Sequence, residues 1–166
     1  MPGETGKRNG QIALCYLIVC LIVALDQASK CFIGKMVSQG GSIPLINKVF
    51  HITLVHNTGA AFGIFRGHPG LFMAFAVLAI ILIIYFLRIK NHLLNIAERT
   101  ALCFILGGAL GNLADRIRLG YVVDFIDLRV WPVFNFADTF ITAGAVMLGA
   151  GMIVSGRTRG GNVRGK

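Results

Sequence analysis

Two aspartates in this chain are set among apolar residues in a way that invites acid–base chemistry. Asp124 lies in Val122-Val123-Asp124-Phe125 and Asp138 in Phe134-Asn135-Phe136-Ala137-Asp138. Carboxyls close enough to share a proton can hydrolyse a peptide bond, one acting as base on water while the other protonates the carbonyl. Two unit charges 4 Å apart repel by about 4 kcal/mol at an effective dielectric of 20. That is roughly three pK units, enough to keep one carboxyl protonated near neutrality. A helix opening at Asp138 would make it the ionised member, because the helix dipole favours negative charge at its start. On residues alone the alternatives stay open. Asp127 competes as second carboxylate, Asp138 would serve equally as an N-cap, and Asp124 as an ion-pair partner of Arg116 or Arg129.

The chain has seven acidic residues, and four of them lie in or beside apolar blocks. An Asp at the bilayer centre costs about 2.5–3.5 kcal/mol on insertion scales, so acids there usually have a task. Asp26 and Lys30, four apart, share a helix face and neutralise each other at a span's rim. Ser29 beside Lys30 suggests a serine–lysine dyad, but adjacent helix residues point about 100° apart, which disfavours it. Gly108, Asn112 and Arg116 fall along one helical stripe, suited either to holding a polar backbone or to helix packing with Asp115 paired to a nearby arginine. The sequence has no His-Glu-x-x-His, no Gly-x-Ser-x-Gly and no nucleotide-binding loop. Neither a metal nor a cofactor is expected. The four histidines are scattered and read as surface or interface residues, and the four cysteines as small buried hydrophobes.

These residues must be held by membrane elements. Of 166 residues 55% are hydrophobic, the mean hydropathy is +0.74 and only 14% are charged, against about 25% in soluble domains. Four apolar segments predict helical spans at about 11–33, 70–88, 96–115 and 138–155. The first runs into Asp26 without a small-residue cleavage site, so it reads as a retained helix. Between the first two spans, Val49–Val55 reads as a strand in a small β element on the membrane surface. Gly107-x-x-x-Gly111 and Ala145-x-x-x-Gly149 would let helices approach closely. Residues 1–11 read as a disordered cytoplasmic tail, 12–155 as one membrane domain and 156–166 as a basic cytoplasmic tail. Nine of the sixteen Lys and Arg residues fall on the side of the termini, which the positive-inside rule makes cytoplasmic. Both long loops then face outward. The net charge of +9 is thereby explained by topology, with no call for nucleic acid. Rival readings are a proton-coupled transporter using Asp26, Asp124 and Asp138, and a structural subunit whose polar residues glue helices. No internal repeat supports the first.

Taken in order, Asp26-Gln-Ala-Ser-Lys30, His56-Asn57-Thr-Gly-Ala-Ala-Phe62, Gly107-Gly-Ala-Leu-Gly-Asn112-Leu-Ala-Asp115-Arg116, Val122-Val-Asp124-Phe125 and Phe134-Asn135-Phe-Ala-Asp138 resemble the bacterial lipoprotein signal peptidase (signal peptidase II) family. The match covers roughly residues 12–155. The resemblance implies an inner-membrane aspartic endopeptidase with four transmembrane helices and a small extracytoplasmic β element. Such an enzyme removes the signal peptide from diacylglyceryl-modified prolipoproteins, cleaving before the lipidated cysteine. It implies Asp124 and Asp138 as the catalytic pair and demotes Asp127. Asn57, Gly108, Asn112, Arg116 and Asn135 would bind or support substrate, with Asp26, Lys30 and Asp115 structural beside the site. The partners implied are the lipid-modified substrate and membrane lipids, around a monomer whose active site lies near the extracytoplasmic face.

Overall fold

The computed structural model describes residues 2–59 and 69–161. The Ala60-Ala61-Phe62 end of the second motif lies outside the described residues. Four α-helices, α1 (Pro2–Met36), α2 (Pro69–Arg88), α3 (Ile96–Leu119) and α4 (Phe136–Gly161), surround a short polar core and carry a three-stranded sheet. Strands β1 (Ser42–Ile46), β2 (Phe50–Asn57) and β3 (Val122–Asp127) run antiparallel in that order.

Helix α3 is the central element and packs against the other three. A capping box starts it: Asn95 Oδ1 accepts from Glu98 N–H while Glu98 Oε2 accepts from Asn95 N–H, satisfying donors a helix start leaves open. It ends past the expected residue 115, because Gly120 adopts a left-handed φ of 79° and donates its N–H to Arg116 O. Gly107 and Gly111 face α1: a β-carbon at Gly107 would lie 2.9 Å from Ile22, and one at Gly111 would lie 2.6 Å from Asp26. On the same helix Gly108 faces α4 instead. The expected Ala145-x-x-x-Gly149 contact is not made, since Gly149 faces open space. Gly144 is the close-approach position on α4, against Ala101 O.

Among the described residues, two helices are long and apolar enough to cross a membrane, Gly10–Met36 of α1 and Phe136–Ile153 of α4; the apolar part of α2, Met73–Arg88, is shorter. Helix α3 falls below that standard because Glu98 and Arg99 at its start and Asn112, Asp115 and Arg116 near its end interrupt the apolar run. The outward faces are apolar instead, with Leu14, Leu21 and Phe32 of α1 and Phe75 and Ile81 of α2 exposed. Asn135, Asp26, Asp115 and Cys103 are the largest fully buried side chains. A polar interior inside an apolar surface inverts the soluble pattern.

Other expectations need correction. Helix α1 begins at Pro2, so residues 2–11 are helical rather than a disordered tail, with proline at a position helix starts tolerate. Helix α4 likewise runs on to Gly161, since no proline stops it. Cys103 alone is buried; Cys15 is half-buried, and Cys20 and Cys31 are exposed on the outward face of α1. The strand expected at Val49–Val55 is present as β2, whereas β1 and β3 were not expected.

Candidate active site

Strand β2 is the bench on which the first acid is placed. Pairing of β2 with β3 sets Val55 opposite Asp124 and Asn57 opposite Val122. Asn57 Nδ2 thereby reaches Asp124 Oδ2 at 2.9 Å, while its own Oδ1 is held by Gly59 N–H at 3.0 Å. After β3 the chain turns through Arg129, at a left-handed φ of 65°, and returns so that Phe134 O accepts from Ile126 N–H at 2.7 Å. The return delivers Asn135 to the start of α4.

Asn135 is fully buried and serves both acids. Its Nδ2 donates to Asp124 Oδ1 at 2.7 Å, and its backbone N–H donates to Asp138 Oδ2 at 3.3 Å. In return its Oδ1 accepts from Asp138 N–H at 2.9 Å. Asn135 is thus the N-cap of α4 and Asp138 the third residue of a capping box; Asp138 is not itself the cap. Asn112 Nδ2 donates to Asp138 Oδ1 at 2.8 Å, and Asn112 Oδ1 accepts from Asn135 Nδ2 at 3.0 Å. Asp124 and Asp138, with Asn57, Asn112, Arg116, Trp131 and Thr142, line one cleft of about 330 Å³. Burial, then the neighbouring Asp138 charge, push the Asp124 carboxyl up to about 7 against the opposing hydrogen bonds from Asn57 and Asn135.

A second acid cluster lies behind this one. Lys30 Nζ is 2.8 Å from Asp26 Oδ2, 2.8 Å from Asp115 Oδ2 and 3.0 Å from Asn112 Oδ1. Asp26 Oδ1 accepts from Ala137 N–H at 3.0 Å, and Asp115 Oδ2 from Val123 N–H at 3.1 Å. One lysine and two carboxylates therefore tie α1 and α3 to the strand and helix that carry Asp124 and Asp138. The expected i,i+4 pair of Asp26 and Lys30 is present. Asp115 pairs with Lys30 rather than with the arginine expected from spacing. Ser29 Oγ donates to Asp26 O at 2.7 Å, and Lys30 points elsewhere, so no serine–lysine dyad forms.

Two further placements separate residues that the sequence left with alternatives. Gly108 does not line the cleft. A β-carbon there would sit 2.3 Å from Ala137 O, so Gly108 brings α3 against the first turn of α4. Asp127 belongs to a separate group: its Oδ2 accepts from Thr53 Oγ1 at 2.8 Å and from Arg129 Nη1 at 3.0 Å. Working against its burial, these bonds hold its carboxyl below the usual range. Arg129 therefore serves Asp127, leaving Arg116 as the arginine on the cleft wall.

Sequence reasoning passed over Gln27, whose Nε2 donates to Asp115 Oδ1 at 2.9 Å and Gly111 O at 3.1 Å. Its place beside Asp26 was the available signal. It also passed over Ile141 and Thr142, which share the Asp138 face of α4 and line the cleft. Spacing of three and four residues from Asp138 could have found them.

The signal peptidase (SPase) II family profile matches residues 18–154. A lipoprotein signal peptidase from Halothermothrix orenii is 45% identical over 136 residues, covering 81% of this chain and 92% of that protein. Another from Caldanaerobacter subterraneus subsp. tengcongensis is 46% identical over 149 residues, covering 88% of this chain and all (100%) of that protein. In structure the chain is similar to a bacterial membrane enzyme solved by the in meso method at 2.3 Å resolution, with a TM-score of 0.80 and 33% identity over 93% of this chain and 94% of that one. With a buried acid pair on the frame of a membrane enzyme and relatives alike over most of their length, this chain belongs to the signal peptidase II family.

Proposed function

We propose that this protein is an aspartic endopeptidase that removes the signal peptide from diacylglyceryl-modified prolipoproteins, with Asp124 and Asp138 as its catalytic pair. The observation that carries the reading is Asn135, which hydrogen-bonds both carboxyls at the wall of one cleft. Asp124, held protonated up to about pH 7, is the acid that protonates the scissile carbonyl. Asp138, at the first turn of α4 with its carboxylate taking backbone and amide donors, is the ionised base. It takes a proton from water as the water oxygen adds to the carbonyl carbon. The C–N bond then breaks as that proton passes to the leaving nitrogen. A hydroxyl of the tetrahedral intermediate returns its proton to Asp124, re-forming the carbonyl.

The supporting residues follow from their contacts. Asn57 and Asn135 orient the two carboxyls, Asn112 holds Asp138, and Arg116 on the cleft wall binds substrate carbonyls. Gly108 lets α3 and α4 close on one another. Asp26, Lys30 and Asp115 hold the frame and touch no substrate. All four helices span the inner membrane, both termini are cytoplasmic and the sheet is extracytoplasmic. This topology brings the cleft to the outer interface, where a lipid-anchored substrate can enter sideways. The enzyme acts as a monomer, without metal or cofactor.

The test is hydrolysis by purified protein of a precursor with and without its diacylglyceryl group. Cleavage of the modified precursor before its cysteine is expected. Cleavage of the unmodified one alone would refute the substrate assignment.

A further inference from the structure

A cleft of about 200 Å³ opens between α1, α2 and α3 at the end of α3 remote from the carboxylates. Arg99 at its head and Asn112 beside Asp138 are 13 positions apart on α3, about 20 Å along a helix. The wall is apolar, from Cys15 and Val19 of α1 through Ile84 and Leu87 of α2 to Leu106 and Leu110 of α3. It extends from Arg99 to Leu110, about 16 Å of helix, which is the reach of an extended acyl chain rather than of a compact ligand. Two guanidiniums close one end. Arg88 is the last residue of α2, lies 5.6 Å over the Tyr16 ring and donates to the Tyr16 hydroxyl. Arg99, in the first turn of α3, is steered there by Leu94 O at 3.2 Å.

We propose that this cleft binds an anionic glycerophospholipid, one acyl chain in the apolar slot and the phosphate against Arg88 and Arg99. Charge complementarity selects that occupant over a zwitterionic lipid. A basic pocket between membrane helices favours an anionic headgroup, and each arginine near the phosphate adds about fivefold to binding. Tyr16 adds a hydroxyl at headgroup level, where amphipathic rings settle. The site is separate from the peptidase cleft and does not depend on the proposed reaction.

Native mass spectrometry of the full chain in neutral detergent tests this, with dioleoyl phosphatidylglycerol and dioleoyl phosphatidylcholine at equal concentration. The wild type is expected to retain the phosphatidylglycerol about 25-fold better, two arginines at about fivefold each. Arg88→Gln with Arg99→Gln should erase the preference, and Arg88→Gln alone, at an exposed helix end, should reduce it about fivefold. Lys90→Gln, outside the cleft, should leave it unchanged; a cooperative unfolding transition for each variant establishes that it is folded. Equal retention of the two lipids by the wild type overturns the proposal. So does a folded double variant with the wild-type preference, or an equal loss from Lys90→Gln.

Discussion

Two acid pairs lie within one polar core, and they differ by a single lysine. Asp26 and Asp115 share Lys30, whose ammonium lies 2.8 Å from a carboxylate oxygen of each. The Asp124 and Asp138 side chains take hydrogen bonds from the amides of Asn57, Asn112 and Asn135, with Arg116 on the same cleft wall. Burial, then the neighbouring Asp138 charge, push the Asp124 carboxyl up to about 7, although the more distant Lys30 charge favours its ionised form. The lesson is that buried carboxylates alone do not make a reactive site. In the proposed assignment the acids that share Lys30 are structural, and those held by amides exchange protons. Asn112 joins the two, accepting from Lys30 and donating to Asp138.

The sharpest way to break the comparison is to neutralise the acids held by amides. Asp124→Asn and Asp138→Asn should each lower turnover by about 10⁴-fold or more. The double variant should lose little beyond either single one, because the two act as a unit. Each change keeps acceptor and shape at the position and leaves the Asp26–Lys30–Asp115 ion pairs intact, so thermal unfolding in detergent should remain close to wild type. A folded Asp124→Asn or Asp138→Asn variant with wild-type turnover would end the proposed assignment.

The reciprocal change acts on stability. Lys30→Met leaves Asp26 and Asp115 buried without their cation, and breaking such a network costs about 3–5 kcal/mol. The unfolding temperature should drop sharply, and the alkaline limb of activity should move upward, because the Lys30 charge favours ionised Asp124. If Lys30→Met unfolds like the wild type, the contrast between the clusters is wrong.

A third measurement sharpens the protonation states. Activity should fall as pH rises through about 7, as Asp124 ionises and the acid is lost. Stability should move the same way. A carboxyl whose folded value is raised contributes fully below the ordinary carboxylate range and loses that contribution as pH rises toward 7. Asp124→Asn should abolish that slope. In Asn57→Ala one hydrogen bond that favours ionised Asp124 is gone, so the alkaline limb should move upward by about one unit. A downward shift would mean that Asn57 favours the protonated form.

How far such contrasts can be read from sequence depends on how local their causes are. The helices were legible because each is built on an apolar run, of span length in α1 and α4, and the Asp26–Lys30 pair because four-residue spacing fixes a helix face. Helix α3 was cut short at 115 because Arg116 and Arg118 look like the start of a loop, although Gly120 was the true stop signal. Strand β3 was missed for a physical reason: it is buried on nearly all its length, so Val122–Asp127 has no alternation to detect. Strand β1 was hidden by Pro44 and its exposed side chains. Lys30 contacting Asp115 could not be read, since the two are 85 positions apart and meet only because Gly107 and Gly111 admit α1. The bridging by Asn135 needs the strand register and the turn at Arg129 together, and no spacing rule contains both.

The smallest effect is expected where the comparison has a control of its own. Asp127 is also a buried acid, in the strand that carries Asp124, but its cation is the half-exposed Arg129 rather than a buried lysine. Its second support is the Thr53 hydroxyl, itself bonded to Ser42 at 2.8 Å on the outer strand. Asp127→Asn keeps an acceptor for Thr53 and loses an ion pair open to solvent, worth about 0.2–1 kcal/mol. Turnover of the diacylglyceryl precursor should stay within about twofold of wild type, since 0.4 kcal/mol is about a factor of two. A loss approaching that of Asp138→Asn would return Asp127 to the candidate second carboxylate. It would also show that a solvent-exposed arginine neutralises a buried acid too weakly to keep it structural.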